Sequence, residues 1–125
     1  MENQPQKRVL LAEDNIFNQK VAVAMLKKFG LTTDVASNGQ EVLDNLSKTK
    51  YALILMDCDM PIMDGYQATT QIRTSGQHIP IVAMTAHESP EARQKCSNVG
   101  MDDYISKPFK LEHLQTVLLQ WKLIE

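Results

Sequence analysis

Residues 51–65 read YALILMDCDMPIMDG, and this stretch decides the fold. An uninterrupted apolar run, residues 51–56, leads directly into Asp57. A strand that is buried on both faces is apolar without alternation, and such strands are typical of parallel sheets covered by helices on both sides. The stretch therefore predicts a central parallel strand that ends in an acidic residue.

Similar short apolar runs flank this strand and alternate with amphipathic segments. The other strands are predicted at residues 9–12, 31–36, 79–84 and 101–106. Helices are predicted at residues 15–29, 40–48, 64–75 and 89–99, with glycine stops at Gly30, Gly76 and Gly100, and a last helix carries the stripe Leu111, Leu114, Leu118 and Trp121. Strand–helix alternation predicts an α/β fold with one doubly wound, five-stranded parallel sheet.

Composition limits the classes of protein to which the chain can belong. Its 125 residues are 43% apolar and 22% charged, as expected of one globular domain. The net charge is −2, and the 13 Lys and Arg residues are scattered, which argues against nucleic-acid or membrane-surface binding. No apolar run reaches the length of a membrane span, and residues 1–7 do not resemble a signal peptide. We therefore expect a cytoplasmic domain.

The cysteines and histidines do not have the spacing of a metal site. Cys58 and Cys96 are far apart in sequence, which favours two reduced thiols over a disulfide or a zinc site. The three histidines, His78, His87 and His113, are dispersed.

Polar side chains follow four of the five predicted strands. Glu13 and Asp14 follow the first strand, Asp57 ends the third, Thr85 follows the fourth and Lys107, before Pro108, follows the fifth. Ligands of open parallel sheets bind beyond the carboxyl ends of the strands. Taken singly, Asp14 could be a helix cap, Thr85 a turn hydroxyl and Lys107 a solvated cation. Taken together, they predict a site.

Three carboxylates at one sheet edge indicate a cation. At separations of about 4 Å they repel by roughly 4 kcal/mol per pair at an effective dielectric of about 20. Oxygen ligands without His or Cys favour a hard ion, and the calcium-loop pattern is absent, so Mg²⁺ is predicted. A carboxylate can attack phosphorus, which makes Asp57 a candidate phosphoacceptor, with Lys107 as the fixed positive charge and Thr85 as the hydroxyl donor.

Four segments resemble the receiver domain of two-component response regulators. They are LLAEDN at residues 10–15, MDCDMPIMDG at 56–65, MTA at 84–86 and KPF at 107–109. Asn18-Gln19 and the GMDDY of residues 100–104 look most like receivers of hybrid sensor histidine kinases. The resemblance implies a flavodoxin-like (βα)5 fold with strand order 2-1-3-4-5, a single receiver domain over residues 1–125 and a core of about residues 7–123.

The resemblance also implies a role for each site residue. Asp57 would accept a phosphoryl group from a phosphohistidine on a kinase or phosphotransfer domain. Asp14 and Asp57 would bind Mg²⁺ directly, Glu13 through water, and Asp59 through its backbone carbonyl. Thr85 and Lys107 would contact the phosphoryl oxygens, Tyr104 would turn inward as a switch, and the bond before Pro108 would be cis. His87 stands where such domains tune access of water, although a solvated loop histidine is the alternative.

A domain of this kind is a two-state element biased by a local change of charge. Phosphorylation would remodel the surface formed by the fourth helix, fifth strand and fifth helix, which an unknown downstream protein reads. We expect the domain to catalyse its own phosphorylation and dephosphorylation without independent multiple turnover. It would be free-standing or part of a hybrid histidine kinase, and we expect no output domain after Trp121.

Two other functions stay open at this point. Asp57-Cys58-Asp59 has the D-x-D form of aspartyl-phosphate phosphatases, but Met60-Pro61 follows and there is no room for a cap domain. A receiver-like binding module that works without phosphorylation is the second alternative, and the complete acidic set argues against it. A nucleotide or flavin binder is disfavoured because no glycine-rich phosphate loop is present.

Overall fold

The computed structural model describes residues 7–86 and 89–125, so His87 lies outside the described residues. Strands and helices alternate along the chain, as the sequence predicts. In chain order they are β1 (Arg8–Ala12), α1 (Ile16–Lys28), β2 (Thr32–Ala36), α2 (Gly39–Leu46), β3 (Leu53–Asp57), α3 (Gly65–Thr74), β4 (Ile81–Thr85), α4 (Pro90–Val99), β5 (Asp103–Ser106) and α5 (Leu111–Gln120).

The five strands form one sheet in the order β2-β1-β3-β4-β5, and each neighbouring pair is parallel. The predicted doubly wound sheet and its strand order are therefore confirmed. The direction of winding reverses between β1 and β3, because β2 lies on one side of β1 and β3 on the other. The carboxyl ends of β1 and β3 consequently border the crevice in which folds of this kind bind ligands.

Helices cover both faces of the sheet and create two hydrophobic cores. On one face, β-strand residues pack against buried side chains of α1 and α5, including Leu26 and Leu114. On the other face they pack against α2, α3 and α4, including Val42, Ile72 and Cys96. Every residue of β3 is buried, which explains why its sequence is apolar without alternation.

The predicted helix ends agree with the observed backbone. Gly30, Gly76 and Gly100 follow α1, α3 and α4 with φ values of 78°, 89° and 104°. Strand starts agree less well, because β4 begins at Ile81 rather than at residue 79. Pro80 has no N–H and cannot donate to the sheet, although its carbonyl accepts a hydrogen bond from Ile54. Within residues 7–86 and 89–125, no helix has both the length and the apolar character needed to cross a bilayer.

Ile62, in the loop between β3 and α3, has a strained backbone. Its φ is 71°, a region that L-residues enter at a cost of about 1–2 kcal/mol and that β-branched residues avoid. Its side chain is also 83% exposed, so apolar contacts do not compensate for the strain. The backbone at Ile62 therefore lowers the stability of the fold, and a residue that tolerates positive φ would remove this cost.

Ile62→Asn is expected to raise the free energy of unfolding by about 1 kcal/mol, because asparagine tolerates the left-handed region. Urea unfolding at constant m-value measures the change. Ile62→Val is the matched control: it keeps the strain and should bring no gain. A loss of stability in Ile62→Asn would contradict the account.

Candidate metal and phosphoryl site

The carboxyl ends of β1 and β3 bring three acids together. Ala12 lies opposite Met56 in the parallel register, so the residues that follow these two positions are neighbours. One carboxylate oxygen from each of Glu13, Asp14 and Asp57 lies within 4.8 Å of the other two. Glu13 and Asp57 are buried, whereas Asp14 is exposed. Asn15 caps α1 instead of Asp14, which leaves the Asp14 side chain at the cluster.

Asp57 is held at both of its carboxylate oxygens. The backbone N–H of Asp59 donates to Oδ1 at 3.1 Å, and Lys107 Nζ lies 3.1 Å from Oδ2. The following loop closes beside it, since the N–H of Gly65 donates to the carbonyl of Cys58 at 3.1 Å. The phosphoacceptor candidate is therefore a fixed carboxylate, only 5% exposed.

Lys107 bridges two of the three acids. Its Nζ lies 2.9 Å from Glu13 Oε1 as well as 3.1 Å from Asp57 Oδ2. Its backbone N–H donates to the carbonyl of Thr85 at 2.8 Å, and the Lys107–Pro108 peptide is cis, as the resemblance implies. Burial acts to lower the pKa of Lys107, but the contacts with Glu13 and Asp57 outweigh it and raise the pKa. Lys107 is thus a permanent cation of the site.

The pocket disfavours the charge of Asp57 even with Lys107 present. The pKa of Asp57 is raised from 3.8 to about 6, and burial is the largest cause. The Asp59 N–H and Lys107 lower the pKa, and the neighbouring Glu13 raises it. Among the described residues, Lys107 is the one cation paired with this cluster of three carboxylates, so the cluster has an excess of negative charge. Carboxylate oxygens without His or Cys are the donors that Mg²⁺ prefers, and the residues present therefore fit this ion.

Asp57→Asn is expected to raise the free energy of unfolding by about 2 kcal/mol at pH 7 in buffer that contains a chelator. The raised pKa means that folded wild-type protein binds a proton more tightly than the unfolded chain. Wild-type stability should therefore fall as the pH rises from about 4 to about 6, and the variant should lack this component. Urea unfolding across this pH range measures the difference, which should vanish below about pH 4. Equal stabilities at pH 7 would contradict the pKa shift.

Thr85 and Tyr104 lie close to this site on β4 and β5. Thr85 is buried at the end of β4, next to Ser106 of β5. Tyr104 is half-buried and packs against the core that α4 covers. The structure thus places all the predicted site residues at or near one sheet edge. Asp59 contributes to the site through its backbone N–H, which donates to Asp57 Oδ1.

Two contacts around the site were not predicted from the sequence. Gln19 Nε2 donates to the carbonyl of Glu13 at 2.6 Å and fixes the start of the β1–α1 loop. The Arg93 guanidinium lies 4.3 Å from the centre of the Tyr104 ring. In the sequence, Asn18-Gln19 is only part of the resemblance to hybrid-kinase receivers, and nothing pairs Arg93 with an aromatic residue eleven positions later. Cys58 and Cys96 are buried free thiols in the same core.

Comparisons with known proteins identify related sequences over nearly the whole chain. A family model described as the response regulator receiver domain matches residues 9–119. The hybrid signal transduction protein dokA of Dictyostelium discoideum is 46% identical over 123 residues, which are 96% of this chain and 7% of the relative. The peroxide stress-activated histidine kinase mak1 of Schizosaccharomyces pombe is 40% identical, over 88% of this chain and 7% of its own length. The chain thus spans less than a tenth of these relatives.

Solved structures of two receiver domains have the same fold as this chain. The receiver domain of sensor histidine kinase PA1611 from Pseudomonas aeruginosa, which holds a magnesium ion in its active-site cleft, matches with a TM-score of 0.86 and 39% identity, over 94% of this chain and 98% of that one. The receiver domain of Saccharomyces cerevisiae Ssk1 was crystallised with the histidine phosphotransfer protein Ypd1. That structure matches with a TM-score of 0.88 and 30% identity, over 96% of this chain and 91% of that one.

Proposed function

The chain belongs to the response regulator receiver domains, the phosphoacceptor modules of two-component signalling, and we propose that Asp57 accepts the phosphoryl group. The observation that carries the proposal is the setting of Asp57. It is a buried carboxylate, 3.1 Å from Lys107 and within an acidic cluster suited to a hard cation. Carboxylates in such surroundings can form an acyl phosphate.

The side chains around Asp57 supply position and charge. In the transfer, an oxygen of Asp57 bonds to phosphorus while the bond from phosphorus to the donor's imidazole nitrogen breaks. Catalysis of such transfers is mainly positioning and neutralisation of charge on the phosphoryl oxygens. The Asp59 N–H and Lys107 orient the carboxylate, and we assign Lys107 and Thr85 to the phosphoryl oxygens.

We assign the acidic cluster to Mg²⁺. Asp14 and Asp57 would bind directly, Glu13 through water, and the backbone carbonyl of Asp59 would complete the protein ligands. When bound, the ion neutralises charge on the carboxylates and on the phosphoryl oxygens. Glu13 is held for this role at both oxygens, by Lys107 at 2.9 Å and by the Asn15 N–H at 3.2 Å.

We assign Thr85 and Tyr104 to the switch. Phosphorylation at Asp57 draws Thr85 toward the phosphoryl group, Tyr104 moves into the space that this opens, and the α4–β5–α5 surface changes for a downstream protein. The similarity to hybrid kinases supports a phosphohistidine donor on a histidine kinase or a phosphotransfer protein. The Ypd1 complex with the Ssk1 receiver supports the same class of donor. We place the domain in the cytoplasm, as part of a hybrid kinase.

The test is phosphotransfer from a panel of phosphohistidine donors, with and without Mg²⁺, followed by intact-mass and peptide mass spectrometry. One phosphoryl group should appear on the wild-type chain with Mg²⁺ and none on Asp57→Asn. Asp59→Asn is the matched control: it removes an exposed carboxylate two residues away, keeps the backbone N–H and carbonyl assigned to the site, and should leave Asp57 modifiable.

The alternatives predict different results. No phosphoryl transfer, together with no Mg²⁺-dependent beryllofluoride shifts near Thr85 and Tyr104, would overturn the proposal in favour of a binding module. Multiple turnover on a phosphate ester would overturn it in favour of a phosphatase.

A further inference from the structure

Tyr104 is contacted from α4 by a positive charge. The Arg93 guanidinium carbon lies 4.3 Å from the ring centre, within the range of a cation–π interaction. Arg93 is exposed and Tyr104 is half-buried, so the contact lies at the protein surface. This contact joins α4 to β5 by way of the residue assigned to the switch.

The sheet register places Tyr104 on the same face as Thr85. Tyr104 lies opposite Ala83, and both residues belong to the core covered by α4. Alternation along β4 puts Met84 on the opposite face and Thr85 back on the Ala83 side. Tyr104 is therefore one strand away from Thr85 and two residues further from the sheet edge. Movement of the ring toward Thr85 runs along this face and would change its contact with Arg93, whose guanidinium carbon lies 4.3 Å from the ring centre in this structure.

We propose that Arg93 is a positioning residue that holds Tyr104 in the unphosphorylated arrangement, and that phosphorylation of Asp57 releases its guanidinium to solvent on the α4–β5 surface. The inference rests on the proposed function. A contact made in only one of two states shifts the equilibrium toward that state by the free energy of the contact. An exposed cation–π pair corresponds to a shift of about two- to fivefold.

Beryllofluoride with Mg²⁺, as the probe of the phosphorylated state, tests the proposal by NMR titration. Arg93→Gln should bind beryllofluoride about two- to fivefold more tightly than wild type, and its free-state Tyr104 ring signals should move toward their bound positions. Arg93→Lys keeps a cation, so its affinity for beryllofluoride should lie between those of wild type and Arg93→Gln. Lys95→Gln is the matched control. Lys95 is on α4 like Arg93, but its Nζ lies 4.2 Å from the centre of a different ring, that of Tyr66. This substitution should leave the affinity for beryllofluoride unchanged.

A measurement on the wild-type protein needs no variant. Because the Arg93 guanidinium lies over the Tyr104 ring, its Nε–H signal should be shifted by the ring current and should move toward its solvent-exposed position on saturation with beryllofluoride. An unchanged Arg93 signal, or equal affinities of wild type and Arg93→Gln, would overturn the inference. Failure of the wild-type protein to bind beryllofluoride at all would overturn the proposed function as well. The failure of the inference and the failure of the proposed function are therefore distinguishable.

Discussion

Gly65→Ala is expected to lower the free energy of unfolding by about 3 kcal/mol and to disable the phosphoacceptor site. A Cβ atom at this position would lie 2.3 Å from the carbonyl oxygen of Asp57 and 2.9 Å from Met56 Cγ. The oxygen is backbone at the end of a buried central strand, so it cannot rotate away. Either α3 or the end of β3 must shift.

The shift would reach the chemistry because α3 begins beside Asp57. Asp64 and Gln67 form a capping box that fixes the first turn of α3, and the Gly65 N–H is bonded to the carbonyl of Cys58. Displacing this turn moves the peptide that positions the Asp57 carboxylate. A misplacement of about 1 Å can cost on the order of a hundredfold in rate. We therefore expect the phosphorylation rate to fall together with stability.

Urea unfolding and phosphorylation rates measure the two effects. Gly76→Ala is the matched control at the other end of α3. A Cβ there meets nothing within 4 Å, but the φ of 89° predicts a cost of about 1–2 kcal/mol from backbone strain alone. Phosphorylation of Gly76→Ala should be unchanged. A Gly65→Ala protein with normal phosphorylation would show that the edge of the sheet is more deformable than its packing indicates.

The fold was predictable because burial restricts which residue types occur along each strand and helix. Strands buried on both faces, such as β3, are continuous apolar runs, and helix ends carry glycines at positions such as Gly30 and Gly100. The ends of the strands were less predictable, since β4 begins only after Pro80. The strained φ of Ile62 was not predictable at all, because residue type alone argues against it.

The location of the candidate site was also predictable, but its contacts were not. The topology of a parallel sheet brings Glu13, Asp57 and Lys107 to one edge whatever their distance in sequence. The sequence does not say that one lysine bridges two acids, since Lys107 and Glu13 are 94 residues apart. Nor does it pair Arg93 with Tyr104, because that contact depends on how α4 lies against β5. Side-chain pairs between elements are decided by packing, which residue patterns describe only coarsely.

Lys107→Met is expected to slow phosphorylation of Asp57 by more than about a hundredfold, the usual effect of removing a donor aimed at developing charge. The same change should strengthen Mg²⁺ binding by roughly tenfold, since the lysine is a positive charge that already contacts Glu13 and Asp57 at 2.9 and 3.1 Å. Within residues 7–86 and 89–125, its removal leaves the three carboxylates of the cluster without an ion-pair partner. Rate and metal affinity should therefore move in opposite directions.

Isothermal titration with Mg²⁺ and phosphorylation rates measured at saturating Mg²⁺ separate these effects. Saturation matters because it ensures that the slower rate does not reflect lost metal. Lys110→Met is the matched control, an exposed lysine at the start of α5 whose replacement should change neither quantity. A parallel loss of metal binding and rate in Lys107→Met would mean that the lysine organises the carboxylates. An opposite change in the two would mean that it competes with the cation for the same oxygens and is needed only once the phosphoryl group arrives.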